Sequence, residues 1–203
     1  MKKNILAIGA HPDDIELGCG GALCSHAQEN DSVFCLIGSN GGKSGNEAVR
    51  QKEALESMDI IGVKDVYFLN LPDTMIKHDG ITVSLLDQYV NQLNPDIIYV
   101  HSPKDYHQDH AAMSLSALSA SRQMKNSVFF YESPSTTIEF RPTAYKDITG
   151  VFEQKLKCIE VFSSQKEKSY MEKLSIMGLA RSRGSVIGVD YAEAFEVARL
   201  FNW

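Results

Sequence analysis

Cysteine is scarce in this sequence, and its four residues, Cys19, Cys24, Cys35 and Cys158, form no CxxC pair. A zinc knuckle and a dithiol redox motif are excluded, and reduced thiols in a cytoplasmic protein are the expectation. No apolar run approaches the roughly 18 residues of a membrane helix. The short apolar stretch from Ile5 to Ala10 runs straight into His11-Pro12-Asp13-Asp14, with no small-residue cleavage site of a signal peptide. Positive charge is also in deficit: 20 Lys/Arg stand against 26 Asp/Glu, a formal net charge of −6. Residues 1 to 110 carry 8 basic against 16 acidic side chains, so the first half lacks the basic surface that a nucleic-acid groove needs. A soluble, cytoplasmic chain without nucleic-acid or membrane partners is expected.

Repeats, low-complexity tracts and linkers are absent as well, so residues 1–203 are read as a single domain. Size scaling allows about 70% of the extended chain's surface to be buried, leaving roughly 9,500 Å² exposed. A core of that size needs neither disulfide nor metal to hold it.

What is present is an alternation of short apolar runs with amphipathic segments. The runs Ile5–Gly9, Val33–Gly38, Val66–Leu69, Ile97–His101 and Val128–Tyr131 read as strands. Between them Glu16–Gln28, Asn46–Ile61 (stopped by Gly62), Val83–Leu93 and His107–Arg122 read as helices. This predicts an α/β fold, a Rossmann-like parallel sheet with helices on both faces. After Pro134 the pattern becomes a mixed C-terminal extension: strand-like stretches Thr136–Phe140 and Tyr145–Ile148, then helices near Val151–Phe162 and Gln165–Leu179. Ligand sites in such sheets lie beyond the carboxyl ends of the strands. Of the five loops there, the first and the fourth open into clusters of His and Asp.

The first cluster is His11-Pro12-Asp13-Asp14, followed by Ile15-Glu16-Leu17-Gly18-Cys19-Gly20-Gly21. The glycines miss the GxGxxG spacing, since Leu23 stands at the sixth place, and Gly38 and Ser39 close the second strand where a ribose-binding acid belongs. A dinucleotide site is thereby excluded. One imidazole and two adjacent carboxylates remain; one can bind a metal while the other faces the water on it. The competing reading makes Asp14 a mere helix cap. The second cluster is Asp105-Tyr106-His107-Gln108-Asp109-His110. Its two histidines share one helix face, and its carboxylates can orient them. A lone pair of this kind reads as a solvated helix start, but two clusters at one sheet edge can meet. Together they offer His11, Asp14 and His110, or His107, as ligands with an open position. Such a set suits Zn²⁺, with Fe²⁺ the alternative.

The pair of motifs resembles the PIG-L/LmbE-like de-N-acetylases, with an HPDD motif after the first strand and an HxDH motif after a later one. The likeness extends to Arg183-Gly184 and to Gly188-Val189-Asp190-Tyr191-Ala192-Glu193-Ala194-Phe195. The resemblance implies His11, Asp14 and His110 as zinc ligands and Asp13 as general base. It implies a protonated His107 as oxyanion stabiliser, with Asp109 behind it. Glu16 fits a further acidic position of the family, while Gln108 departs from its usual Pro. The resemblance also implies that Arg50 and Tyr191 bind substrate. Arg50 otherwise reads as an i,i+3 partner of Glu53, and Tyr191 as a core partner of Phe195. The implied function is a zinc-dependent hydrolase that removes acetate from an N-acetylated, GlcNAc-type amino sugar, in a homo-oligomer. Two rivals stand beside it: an amidase acting on another N-acyl or thiol-sugar conjugate, and a non-catalytic sugar-binding relative. His26 and His78 read as surface residues, His101 as a hydrogen-bonded core histidine, Cys19 as a thiol without a base, and Lys155 to Lys173 as a solvated face.

Overall fold

A computed structural model describes residues 2–201. Five parallel strands, β1 (Asn4–Gly9), β2 (Ser32–Ile37), β3 (Asp65–Phe68), β4 (Ile97–His101) and β5 (Ser127–Tyr131), alternate with α1 (Asp14–Gln28), α2 (Glu47–Ile61), α3 (Gly80–Leu93) and α4 (Gln108–Ala120). The chain then forms β6 (Ala144–Asp147), α5 (Phe152–Glu160), α6 (Lys173–Ile187) and β7 (Ala192–Arg199). Sheet order is β3-β2-β1-β4-β5-β7-β6, with β7 antiparallel to both its neighbours. The folded surface is 9488 Å², as the mass alone predicts.

Period-two alternation in β1 splits the core into two layers. Ile5 and Ala7 face α1, α2, α5 and α6, packing with Leu23, Met58, Leu156 and Ile176. Leu6 and Ile8 face α3 and α4, packing with Leu86, Val90 and Met113. Gly62 ends α2 at φ 88°, a left-handed position that glycine occupies without a Cβ clash.

The order 3-2-1-4-5 reverses direction between β1 and β4, which pair directly. Loops leaving these two strands therefore diverge and open a crevice between them. Both His/Asp clusters sit there.

The C-terminal part departs from the sequence-based expectation. Thr136–Phe140 is not a strand but a run of turns, pinned by an isolated bridge between Asp105 and Thr136. Gln165–Leu179 is not one helix: short 3₁₀ turns at Ser163–Gln165 and Ser169–Met171 precede α6. The Ser163 and Ser164 hydroxyls and the Ser164 amide donate to buried Glu53, an arrangement that competes with helical pairing. Strand β7, unanticipated, fills the gap between β5 and β6.

Candidate active site

A left-handed turn ends the loop after β1. Asp13 adopts φ 98°, a strained conformation for a residue with a Cβ, directly before α1. Arg50 braces this turn. Its Nη2 donates to the Pro12 carbonyl at 2.6 Å and to Asp13 Oδ2 at 3.1 Å, and its Nη1 to the Gly41 carbonyl at 3.0 Å. Gly41 has φ 71°, and a Cβ there would run into the guanidinium. Arg50 is thus buried at the cleft wall, committed to protein oxygens and not to Glu53, whose carboxylate goes to Ser163 and Ser164.

Asp14 does not cap α1. Its Oδ2 accepts from the Ala10 and His11 amides at 3.1 and 2.7 Å. Around this carboxylate stand His11 Nδ1 at 3.4 Å, His110 Nε2 at 3.4 Å and His101 Nε2 at 3.1 Å. The remote nitrogens discriminate among the three. His110 Nδ1 meets Asp105 Oδ2 at 3.1 Å, and His11 Nε2 meets Asp109 and Asp73 at 3.1 and 3.2 Å. Carboxylates behind these rings fix the tautomer and turn the other nitrogen toward Asp14, the usual support of a metal-ligating histidine. His101 lacks it: its Nδ1 is buried without a partner, and its Nε2 takes the Ala10 N–H.

Ligand atoms about 2.0–2.1 Å from a tetrahedral zinc stand about 3.3–3.4 Å apart. His11 Nδ1 to Asp14 Oδ2 and His110 Nε2 to Asp14 Oδ1 each match that spacing, one on either oxygen of the carboxylate, and the two-nitrogen, one-carboxylate donor set fits a divalent cation. Of four compact donor groups among the described residues, three lie here, His11/His107/His110, Asp14/His101/His110 and His11/Asp73/Asp109, and the expected trio spans the first two; the fourth, His26/Glu29/Asp31, lies elsewhere.

Electrostatics without a cation agree. Burial alone would lower His11, but hydrogen bonds to the Asp109, Asp14 and Asp73 carboxylates raise it to about 11. His110 rises to about 9 against its burial because Asp14 and Asp105 surround it. Asp14 is held well below the ordinary carboxylate range, its burial outweighed by His110 and His101. Burial and the neighbouring Asp14 push Asp13 up, with Arg50 and Lys168 opposing. Glu16, fully buried with no hydrogen-bond partner on either oxygen, rises to about 8, mainly through burial.

His107 and Asp109 are arranged differently from expectation. The Asp109 carboxylate does not back His107; it accepts from the Thr74 and Ile76 amides at 2.7 and 3.0 Å and meets His11. Two residues apart at a helix start, the two side chains diverge. His107 instead caps α4, its Nδ1 accepting the Asp109 N–H at 3.3 Å. That contact places the ring proton on Nε2. Burial and the charges of His110 and His11 lower its pKa, so the donor it offers is a neutral imidazole.

His11, Asp13, Asp14, Arg50, His107 and His110 line one cleft of about 300 Å³. Tyr191 is not among its lining residues; its ring stacks on Phe152 at 3.8 Å between centroids, and Phe195 packs on Tyr99 instead. His26 is buried rather than on the surface, held by Asp31 and Tyr99, whereas His78 is exposed. Lys155 is buried too, paired with Glu193 at 2.5 Å, so the lysine-rich stretch is not wholly a solvated face. All four cysteines are buried free thiols. Asp73, Lys168 and Tyr170 also line the cleft and were not singled out from sequence. Asp73 follows β3 at the same sheet edge, a position that could have flagged it; Lys168 and Tyr170 lie in the turns before α6, for which no local signal existed.

Among the described residues no helix is long and apolar enough to cross a membrane. The sequence model of PIG-L, GlcNAc-PI de-N-acetylase, matches residues 6–121. The uncharacterized deacetylase YaiS of Escherichia coli is 34% identical over 155 residues, which span 72% of this chain and 83% of that protein. A 4-oxalmesaconate hydratase of Pseudomonas putida is 25% identical over 193 residues, spanning 81% and 74%. Among solved structures, the conserved protein TT1542 of Thermus thermophilus superposes with a TM-score of 0.88 at 27% identity, covering 99% of this chain and 97% of that one.

Proposed function

The chain belongs to the PIG-L family, and from that premise we propose that it is a zinc-dependent hydrolase acting on an N-acetylated amino sugar, with residues 1–203 as one catalytic unit. One observation carries the reading. Carboxylates behind His11 and His110 aim their free nitrogens at Asp14, while Asp13, a second carboxylate, stays outside that donor set in the same cleft.

His11 Nδ1, Asp14 and His110 Nε2 would hold the cation. When bound, it supplies Lewis-acid polarisation of the acetyl carbonyl and lowers the pKa of water. Asp13 Oδ takes the proton of the attacking water, and Arg50 holds that carboxylate in place. As the water oxygen bonds to the acetyl carbon, His107 Nε2–H donates to the developing oxyanion. The C–N bond breaks, Asp13 returns its proton to the leaving nitrogen, and acetate and a free amine result. His107 performs this role neutral, so the protonated form expected from the resemblance is not needed.

Asp13→Asn keeps the donor set and removes the base. Turnover of an N-acetylglucosaminide, followed by acetate release, should fall by about 10²–10⁴-fold at stoichiometric zinc. Near-normal turnover would sink the mechanism. A second reading follows from the Pseudomonas relative, hydration of an unsaturated carboxylic acid by the same base and cation. Arg50, the buried guanidinium of the cleft, is already taken by three protein oxygens, which leaves it unsuited to grip such an acid. Water addition without acetate release would favour this second reading.

A further inference from the structure

A second cavity of about 330 Å³ adjoins the catalytic cleft. The two share Leu17, Pro134 and Tyr170 among their lining residues, so they lie side by side. Each alone is at the small end of ligand-site volumes. Hydrolysis of an acetamide uses only the first. The far wall of the second is apolar, formed by Ile176, Leu179 and Ala180 of α6.

Charged groups border it only as closed pairs. Arg183 donates from Nε and Nη2 to the two Glu132 oxygens at 3.0 and 2.6 Å. Lys155 Nζ meets Glu193 at 2.5 Å and donates to the Leu17 carbonyl at 2.8 Å. A charged substituent entering here would lose its water without gaining an unpaired counter-charge. An uncharged one would meet the apolar wall and the small, uncharged residues Ser133, Ser169 and Ser175.

We propose that this cavity is a second subsite that takes an uncharged, partly apolar substituent carried by the amino sugar. The preferred substrate is then a neutral glycoside of the N-acetylated sugar, rather than the free sugar or a glycoside with an anionic aglycone. The inference rests on the amino-sugar reading above.

Binding tests it on the zinc-loaded full chain. Calorimetry compares N-acetylglucosamine, its two phenyl glycosides and its 1-phosphate. One phenyl glycoside should bind about tenfold or more tighter than the free sugar, from burial of an aromatic ring, and the 1-phosphate no tighter. Leu179→Trp, at an exposed residue of the cavity wall outside the catalytic machinery, should abolish that gain and leave free-sugar affinity unchanged; Ser175→Trp, also exposed, should do the same if the first variant folds poorly. Equal affinity for free and phenyl sugars, a preference for the phosphate, or a phenyl gain that survives the plugging substitution overturns the subsite. Acetate is assayed on the same probes. Tight phenyl-glycoside binding lost on plugging, with no acetate from any probe, supports the subsite and overturns the de-N-acetylase reading; no binding of any probe overturns both.

Discussion

His11 and His110 are oriented from behind, and that arrangement sets what the site can bind. Asp105 holds His110 while itself accepting from Ser133 and Ser135 at 2.5 and 2.6 Å, so it is a fixed post rather than a mobile surface acid. Asp105→Asn keeps the shape but can present an amide N–H to the ring, weakening the tautomer bias. Zinc affinity by competition with a chelator should fall about 10–100-fold, and an unchanged affinity would remove Asp105 from the site. Glu16 makes a different prediction. Its folded pKa of about 8 lies above the ordinary carboxylate value, so its contribution is most favourable at low pH and is lost as pH rises through about 8. Glu16→Gln should flatten the fall in stability between about pH 5 and 8, read by urea unfolding at several pH values. A slope identical to the parent would show that Glu16 does not titrate in this range. Both clusters were legible as residues in the sequence; which carboxylate backs which imidazole was not, because Asp109 turns toward β1 and the 74–76 loop instead of its near neighbour His107.

At the level of the element, α1 runs unbroken from Asp14 to Gln28 while tertiary contacts reach into its backbone. Leu17 C=O and Gly21 N–H, four residues apart in that helix, both also have partners outside it. Lys155 of α5 donates to the carbonyl, and the Glu193 carboxylate of β7 accepts from the Gly21 and Ala22 amides at 2.8 Å each. The glycines permit it: a Cβ at Gly18 would strike the Tyr131 ring, and one at Gly21 would crowd Ile148. So the Gly18–Gly21 run serves close packing rather than phosphate binding, consistent with its failed dinucleotide spacing. Lys155→Met leaves the buried Glu193 without its counter-charge and should cost about 3–5 kcal/mol in equilibrium unfolding. A loss under about 1 kcal/mol would mean that the pair is solvated. From sequence, Lys155 belonged to a solvated face and Glu193 to a closing motif. Neither carries a local sign of burial, since they meet each other across 38 positions and their α1 partners across 138 and 172.

Over the whole molecule, folding gathers acids that the sequence holds in two separate clusters and at the isolated Asp73. Asp14, Asp73, Asp105 and Asp109 converge on His11, His101 and His110, and in the absence of a cation two of these imidazoles are held protonated. Their deprotonated nitrogens are what a cation requires, so zinc binding should release protons and tighten as pH rises from 6 to 9. Calorimetry in buffers of different ionisation enthalpy reads the release directly; none would contradict the ligand assignment. For the cation-free protein the sign is opposite. The stabilisation from raised His110 is complete below the ordinary imidazole pKa near 6.5 and is lost as pH rises through about 9, with His11 following near 11. The melting temperature of the chelator-treated protein should therefore drop between pH 7 and 10, and excess zinc should restore it.

The sequence by itself determined the alternation of strand and helix through residue 131, the burial of both sheet faces, and the two clusters placed after β1 and β4. These follow from local periodicity and from motif spacing, which short stretches of chain encode. Tertiary structure alone decided that β1 and β4 are neighbours, that Arg50 is locked onto Asp13, that Tyr191 stacks on Phe152, and that β7 completes the sheet. Each depends on residues distant in sequence meeting across the core, where packing and charge pairing, rather than local propensity, select the partner.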